Sequence, residues 1–407
     1  MNFPFFVARR YFLSQKKRNF INVISIIAMV GAAVGTAALV IVLSVFNGLE
    51  GLLRSLYSSF DPEIKISAES GKSFVVDDQF LLELKNLDGV LSITEVIEDN
   101  ALVKYADAPT IVRLKGVSDN FESQSDIKQV IKEGSTRLTE NGIQYAVLGN
   151  ALQQILSVSL DNDFYSLEVW YPKKQKGLTI NPEKAFNKGF LRPGGVFAIE
   201  QEYDEKYMIA PLKFVEKLMN YENKRTSLEV RTKQGYSIPN VIKILKGKLG
   251  EGFKVEDRDQ QHESLYKAIR IEKLFGFITF SFILAIASLN IFFSLTMLGI
   301  EKKKDISVLY AMGADKGLVR RIFLIEGAMI SFTGAFIGLL LGLIICLLQQ
   351  QFGFVSMGMQ TSIVQAYPVK IDFMDFLFTG LSIVIITLLV SLSPARTASG
   401  LNLKDHL

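Results

Sequence analysis

The stretch INVISIIAMVGAAVGTAALVIVLSVF, residues 21–46, holds no charged side chain. A helix of about 20 apolar residues crosses the hydrocarbon of a bilayer. Inside lipid every backbone N–H and C=O must be bonded within its own segment, so an isolated run of this kind reads as helix. Three more such runs follow, at residues 274–298, 322–348 and 373–392. The only charges in them are Glu326, near the start of the third, and Asp375, near the start of the fourth. The first run is far longer than the 7–15-residue apolar core of a signal peptide and ends in Val45-Phe46-Asn47, so it is expected to remain as a span.

The totals agree with a membrane protein of more than one body. Apolar residues make up 49% of the chain, and the mean hydropathy is positive. The formal net charge of +4 is small and no long basic block occurs, which argues against nucleic acid as a partner. Cys346, the one cysteine, lies in the third apolar run and allows no intramolecular disulfide.

Flanking charge sets the orientation. Arg9, Arg10, Lys16, Lys17 and Arg18 precede the first run. Lys302, Lys303, Lys304, Lys316, Arg320 and Arg321 fill the loop between the second and third, and Arg396 and Lys404 follow the fourth. The loop between the third and fourth has Lys370 alone. The excess of Lys and Arg in short cytoplasmic loops places both termini and the 301–320 loop inside the cell. The expected layout is an amphipathic cytoplasmic N-terminus (1–20), a first span (21–47), an outer domain (48–273), a second span (274–300) and a cytoplasmic loop (301–320). A third span (321–349), an outer loop (350–371), a fourth span (372–394) and a cytoplasmic tail (395–407) follow.

The outer domain mixes α and β patterns. Alternation predicts strands at 63–67, 91–97, 101–105, 110–116, 227–231 and 253–256, with helices at 80–87 and 238–249. The two ends together have the pattern of a split, ferredoxin-like β-α-β unit, at about 61–117 and 225–257, with residues 118–224 inserted as a second subdomain. From residue 260 a helical pattern runs unbroken into the second span. It predicts a stiff stalk (258–273), against the plainer reading of a linker.

No catalytic or metal constellation is legible. Gly71-Lys72-Ser73 lacks the first glycine of a P-loop, because Ile66 stands there. ATP hydrolysis must therefore come from another chain. His262 and His406 fall on opposite sides of the membrane and form no ligand set. The chain reads as a non-enzyme that binds neither metal nor cofactor.

Four features invite a functional reading. In the loop from Glu301 to Ala314, charges come first, then Ile306, Leu309 and Tyr310 on one helical face, then Gly313 as a stop. A short amphipathic helix of this kind suits a partner's groove, and a solvated topogenic loop accounts for it equally well. Gly31 and Gly35 in the first span, and Gly327, Ser331, Gly334, Gly338 and Gly342 in the third, form small-residue stripes expected to pack helices within the subunit, with a subunit interface as the second reading. Glu326 is expensive in a membrane unless it is interfacial or paired; satisfaction by Arg320, Arg321 or a lipid headgroup is preferred to a proton relay, because one carboxylate makes no chain. After Trp170, expected to anchor a core, residues 171–195 make a long basic excursion with Lys173, Lys174, Lys176, Lys184, Lys188 and Arg192 against Glu183.

Residues 6–11 (FVARRY), 19–25 (NFINVIS) and 35–48 (GTAALVIVLSVFNG) resemble the start of LolC/LolE lipoprotein-releasing permeases. Residues 301–314 (EKKKDISVLYAMGA) are similar to the ATPase-contacting loop of the wider FtsX/MacB permease superfamily. Residues 367–372 (YPVKID) and 394–399 (PARTAS) also resemble that group. The likeness covers the chain in order: one span, an outer domain, three spans.

The resemblance implies four transmembrane helices and a large α+β, MacB-like periplasmic core of two subdomains, in the inner membrane of a Gram-negative-type bacterium. It implies two permease subunits, the same or sister chains, with two copies of a LolD-like ATPase that carries the ATP and magnesium. Lipoproteins held in the outer leaflet would be passed to a LolA-like periplasmic chaperone. By position, Glu301, Lys302, Lys303, Lys304, Asp305, Ile306, Leu309, Met312, Gly313 and Ala314 would form the ATPase-coupling helix. Tyr171, Pro172, Lys173, Lys174, Lys176, Lys184 and Lys188 would form the chaperone-contact loop, although this stretch does not reproduce a proline-rich hook. Val40, Leu43, Phe46, Phe277 and Phe280 would face lipid or acyl chains. A MacB-like efflux or mechanotransmission permease, an FtsX-like regulator of cell-wall hydrolases and a sensor without transport are the rival readings.

Overall fold

A computed structural model describes residues 3–13, 20–58, 60–124, 126–162, 164–173, 185–357 and 366–399. The chain divides into two units. One takes in Leu52–Tyr266; the other takes in Met1–Gly51, Lys267–Met357 and Ala366–Leu407.

The second of these is helical. It is built from α1 (Phe3–Leu13), most of α2 (Phe20–Ser58) and of α10 (Glu263–Glu301), then α11 (Lys303–Ala311), α12 (Lys316–Phe352) and α13 (Phe373–Ser399). Among the described residues, α2, α10, α12 and α13 are the four helices long and apolar enough to cross a membrane. Gly334 and Gly338 explain why α12 sits so close to α2. A Cβ on Gly338 would stand 2.3 Å from the Ala33 carbonyl oxygen, and one on Gly334 would stand 2.5 Å from that of Met29. Gly31 and Gly35 face Ala287 and Leu284 of α10. The small-residue stripes therefore pack helices within this subunit, where close approach replaces a hydrophobic driving force that lipid does not supply. Hydroxyl pairs reinforce the contacts: Ser25 with Ser294, at 2.7 Å, and Ser331 with Thr387.

Glu326 departs from expectation. It is buried on the α12 face that also buries Ile322, Phe323 and Ile330, so the helix turns it into the bundle. Its Oε2 and the Arg320 Nε are both buried without a hydrogen-bond partner, so the pairing expected between them is not made.

The other unit is a sheet covered by short helices. Its strands are β1 (Ile64–Ala68), β2 (Phe74–Val75), β3 (Val90–Tyr105), β4 (Ala108–Val117), β5 (Ile131–Gly134), β6 (Thr139–Glu140) and β7 (Ile143–Gly149). They continue with β8 (Leu167–Pro172), β9 (Phe186–Phe197), β10 (Tyr207–Pro211), β11 (Lys224–Arg225), β12 (Ser227–Thr232) and β13 (Phe253–Asp257). Its helices are α3 (Asp78–Lys85), α4 (Phe121–Gln124), α5 (Asn150–Leu156), α6 (Gln201–Lys206), α7 (Leu212–Met219), α8 (Ile238–Leu249) and α9 (Arg258–Gln261).

Local chemistry marks these ends. Asp77 caps α3 through the Phe80 N–H, Pro239 opens α8 and Gly250 closes it, and Asp257 with Gln260 forms a capping box on α9. The strand order β13-β1-β12-β3 is the ferredoxin-like 4-1-3-2 arrangement, with α3 and α8 covering one face. The sheet then continues through β4, β10, β7 and β9 to β5. The two strands expected at 91–97 and 101–105 are one 16-residue strand, β3. It pairs with β12 along its first half and with β4 and β8 along its second, so the acidic break at Glu98 and Asp99 is bridged by ladder bonds and Arg113. Three cores thus share one sheet: one under α3 and α8, one under α5 and α7, and a third on the opposite face around Phe60, Val96, Val117, Val147 and Phe197.

On the opposite face, Lys115 is buried against Glu229 at 2.8 Å, its ammonium 4.4 Å over the Phe60 ring. Burial by itself would lower its pKa, but the Glu229 and Glu98 carboxylates hold the ammonium above its ordinary value. His262 is committed to packing: it stacks on Tyr57 at 4.3 Å, and its Nε2 lies 2.6 Å from Asp61. His262 also separates α9 from α10, so the helix leading into the second span starts at Glu263.

Candidate functional site and partner surfaces

The first surface is α11. The chain leaves α10 at Glu301, turns at Lys302, and forms a nine-residue helix ended by Gly313, whose φ of +92° suits a residue without Cβ. Asp315 then caps α12 by accepting the Leu318 N–H. Of the expected apolar face, Ile306 is only 2% exposed and packs in a cluster with Leu298, Val319, Phe323 and Ala395. Leu309 and Tyr310 are half-buried, and the Tyr310 hydroxyl donates to the Ser399 carbonyl at 2.8 Å. That face therefore anchors α11 to its own bundle.

The large apolar side chains left exposed over residues 303–314 are Val308, 58% exposed, and Met312, 76% exposed. They are four residues apart and share a helix face. Lys304, Asp305 and Gly313 are also exposed, while Lys303 and Ala314 are half-buried. Beside them lies an open cleft of about 500 Å³ lined by Ile300, Glu301, Lys303, Lys304 and Ser307. Lys302 leans over the Tyr11 ring at 5.4 Å and approaches Asp305 at 3.9 Å. Val308 is not among the residues expected from the sequence; its four-residue spacing from Met312 is the signal that marks it.

The second surface is the face of β8 and β9 that carries Trp170, Lys188 and Phe190. The register sets Ile111, Leu102, Trp170 and Lys188 side by side on four adjacent strands, with Glu168 and Phe190 in the row two residues on. The opposite face, with Val169, Tyr171 and Leu191, is core. Trp170 is therefore half-buried on the outer face and not a core anchor, because the strand alternates and Val169 and Tyr171 take the inner positions.

The Lys188 ammonium sits 3.8 Å over the Trp170 ring and 3.8 Å from Glu168, and Phe186 lies against the same indole. Ile111 and Phe190 are strongly exposed. Tyr171, expected in the contact loop, is buried and donates its hydroxyl to Asp99 at 2.8 Å. Pro172 and Lys173 are exposed at the strand end. Lys174, Lys176 and Lys184 lie outside the described residues. Leu102, Ile111, Phe186 and Phe190 were missed, since their shared face depends on pairing among four strands.

The third surface is the apolar exterior of the bundle. Val40 and Leu43 are buried, contrary to expectation, because α2 turns them inward; Val40 packs on Gly342 of α12. Phe46, Phe277 and Phe280 are half-buried, and Phe46 rests on Gly276 across the α2–α10 seam. The side chains that face outward on α10 are Phe275, Ile278, Phe282 and Phe293 among others. No group of three His, Cys, Asp or Glu side chains able to hold a metal occurs among the described residues.

Two family descriptions match the chain: a MacB-like periplasmic core domain over residues 25–159 and an FtsX-like permease C-terminal domain over residues 277–403. Three curated proteins are similar along almost the whole length. The lipoprotein-releasing system transmembrane protein LolC of Buchnera aphidicola is 25% identical, over 96% of this chain and 94% of its own. LolE of Haemophilus influenzae is 24% identical over 98% of both, and LolC of Neisseria meningitidis is 22% identical over 97% of this chain and 96% of its own. Among solved structures, the periplasmic region of MacB from Actinobacillus actinomycetemcomitans covers 53% of this chain and 98% of its own, at 14% identity and a TM-score of 0.37.

Proposed function

We propose, from the premise that this multi-pass membrane protein is a LolC/LolE homologue with a MacB-like periplasmic core and an FtsX-like permease domain, that it is the permease subunit of an ATP-driven lipoprotein-releasing complex. The observation that carries the reading is the end-to-end likeness to LolC and LolE, over 96% and 98% of this chain. In this reading the chain lies in the inner membrane with both termini in the cytoplasm. It pairs with a second permease, the same chain or a sister, and with two copies of a separate ATPase that binds ATP and magnesium.

The residues have distinct tasks in the cycle. Val308 and Met312 fill an apolar groove of the ATPase, and Lys303 and Lys304 meet acidic groups at its rim. Ile306 and Tyr310 fix α11 to the bundle, so a displacement of the ATPase moves the bundle instead of bending a loop. The 39-residue helix α10, about 58 Å long at 1.5 Å per residue, carries that movement as a rod. A lipoprotein held by its acyl chains in the outer leaflet enters sideways between α2 and α10. It leaves to a soluble periplasmic chaperone recruited by the aromatic and basic face of β8 and β9.

The test is reconstitution. The purified complex in proteoliposomes with a triacylated lipoprotein should transfer that lipoprotein to soluble chaperone in an ATP-dependent manner. ATP hydrolysis without transfer, together with co-purification of an outer-membrane channel and adaptor, would replace this reading with an efflux permease.

A further inference from the structure

One end of the helical unit, the end nearest in sequence to the periplasmic domain, carries a charged cluster that the coupling and chaperone surfaces do not use. Lys273 of α10 donates to the Asn47 Oδ1 of α2 at 2.7 Å and lies 3.0 Å from Oδ1 of Asp375 on α13. Asn47 in turn donates to Asp375 Oδ2 at 2.5 Å. Asn47 and Asp375 are buried, whereas the Lys273 side chain is 27% exposed.

The chain before α13 crosses the same place. The Lys370 N–H donates to the Ser44 carbonyl, and the Pro368 carbonyl oxygen lies so near Gly48 that a Cβ there would stand 2.2 Å away. Gln349 and Gln350 at the end of α12 donate to the carbonyls of Tyr367 and Val369. These ties fasten α2, α12 and the start of α13 to one another without α10.

The cluster is therefore asymmetric. If α10 withdraws, Asp375 keeps the Asn47 amide, and Lys273, already partly exposed, moves its charge to water or headgroup phosphate. At the other end of the seam Ser25 and Ser294 hold α2 to α10. We propose that Lys273 is the positioning residue of a latch on α10. Released from Asp375 and Asn47, it lets α10 swing from α2 and α13 about the Ser25–Ser294 end and opens the path by which the lipoprotein enters. The entry step rests on the function proposed above; the latch itself does not.

The complex with its ATPase, in nanodiscs, tests this by the distance between spin labels. Leu274→Cys on α10 and Met374→Cys on α13 are exposed positions, and Cys346→Ser removes the only other thiol. Without nucleotide the parent should give one short distance, and trapped ATP should add a longer one. Lys273→Gln should at least triple the long population without nucleotide, Lys273→Arg should leave it unchanged, and Lys273→Asp combined with Asp375→Lys should restore the short distance.

Overlapping distributions for Lys273→Gln and the parent in both nucleotide states would overturn the latch. So would a charge exchange that folds but stays open. Should Lys273→Gln fail to assemble, Asp375→Asn replaces it with the same expectation. Lipoprotein transfer by the same samples separates the two readings. A distance shift in a complex that transfers no lipoprotein keeps the latch and removes the substrate, whereas transfer with no distance shift does the reverse.

Discussion

α11 and the β8–β9 pair both hold apolar side chains in solvent, but they are held there differently. α11 has nine residues, and its facing depends on Ile306 in the core and the Tyr310 hydroxyl on Ser399. The outer face of β8 and β9 is fixed by ladder bonds to two neighbouring strands and by the packed core behind it. A short helix can be rotated by the loss of one contact. A strand cannot turn one face without moving every residue by one register position. The helix suits a moving coupling element, and the sheet suits a fixed docking platform.

The largest expected effect lies on the helix. Val308→Asp with Met312→Asp should cut ATP-driven lipoprotein transfer at least tenfold, more than the ~1.4 kcal/mol that a tenfold change represents. The bundle's melting temperature should not change. Undiminished transfer by this variant would remove α11 as the coupling element. Ile306→Ala should behave differently. It should lower stability by about 2–4 kcal/mol, as large-to-small core changes do, and lower coupling with it. A melt of the detergent-solubilised chain checks the first, and ATPase stimulation by lipoprotein checks the second. If Ile306→Ala keeps its stability and loses coupling alone, the contrast between the two faces of α11 fails.

On the platform, Ile111→Asp with Phe190→Asp should weaken chaperone crosslinking by about tenfold and leave stability within about 1 kcal/mol, because both side chains are exposed. A loss of folding would mean that this face is covered by protein. The smallest effect is electrostatic. Reversing the charge of Lys173, Lys174 and Lys176 should reduce chaperone capture a few-fold at low salt, and the difference should vanish near 0.5 M, where screening is strong. Lys188 sits on Trp170, so Lys188→Ala should cost about 0.5–1 kcal/mol of stability as well.

The spans, the ferredoxin-like ends and the small-residue stripes were legible because each depends on local chemistry. A run of apolar residues must be helical in lipid, alternation fits a pleated strand, and a glycine every fourth residue leaves a groove. Helix α8 was read with the bounds it has, since Pro239 and Gly250 mark them. The candidate surfaces were less legible. The 301–314 stretch stands out in the sequence, but the expected face residue Ile306 is buried and Val308, not among the expected residues, is exposed, because α12 and α13 select the buried side of α11. For Trp170 aromatic bulk argues for an inner position, while the strand's own alternation gives the inner positions to Val169 and Tyr171.

The sequence by itself determined which segments enter the membrane, where the sheet domain lies and that this chain has no P-loop of its own. These follow from composition and spacing over one segment at a time. The tertiary structure decided which face of each segment is free, that three cores share the strand Val90–Tyr105, and that Asn47, Lys273 and Asp375 meet. Those residues are 102 to 328 positions apart, and only helix packing brings their polar atoms within hydrogen-bond distance.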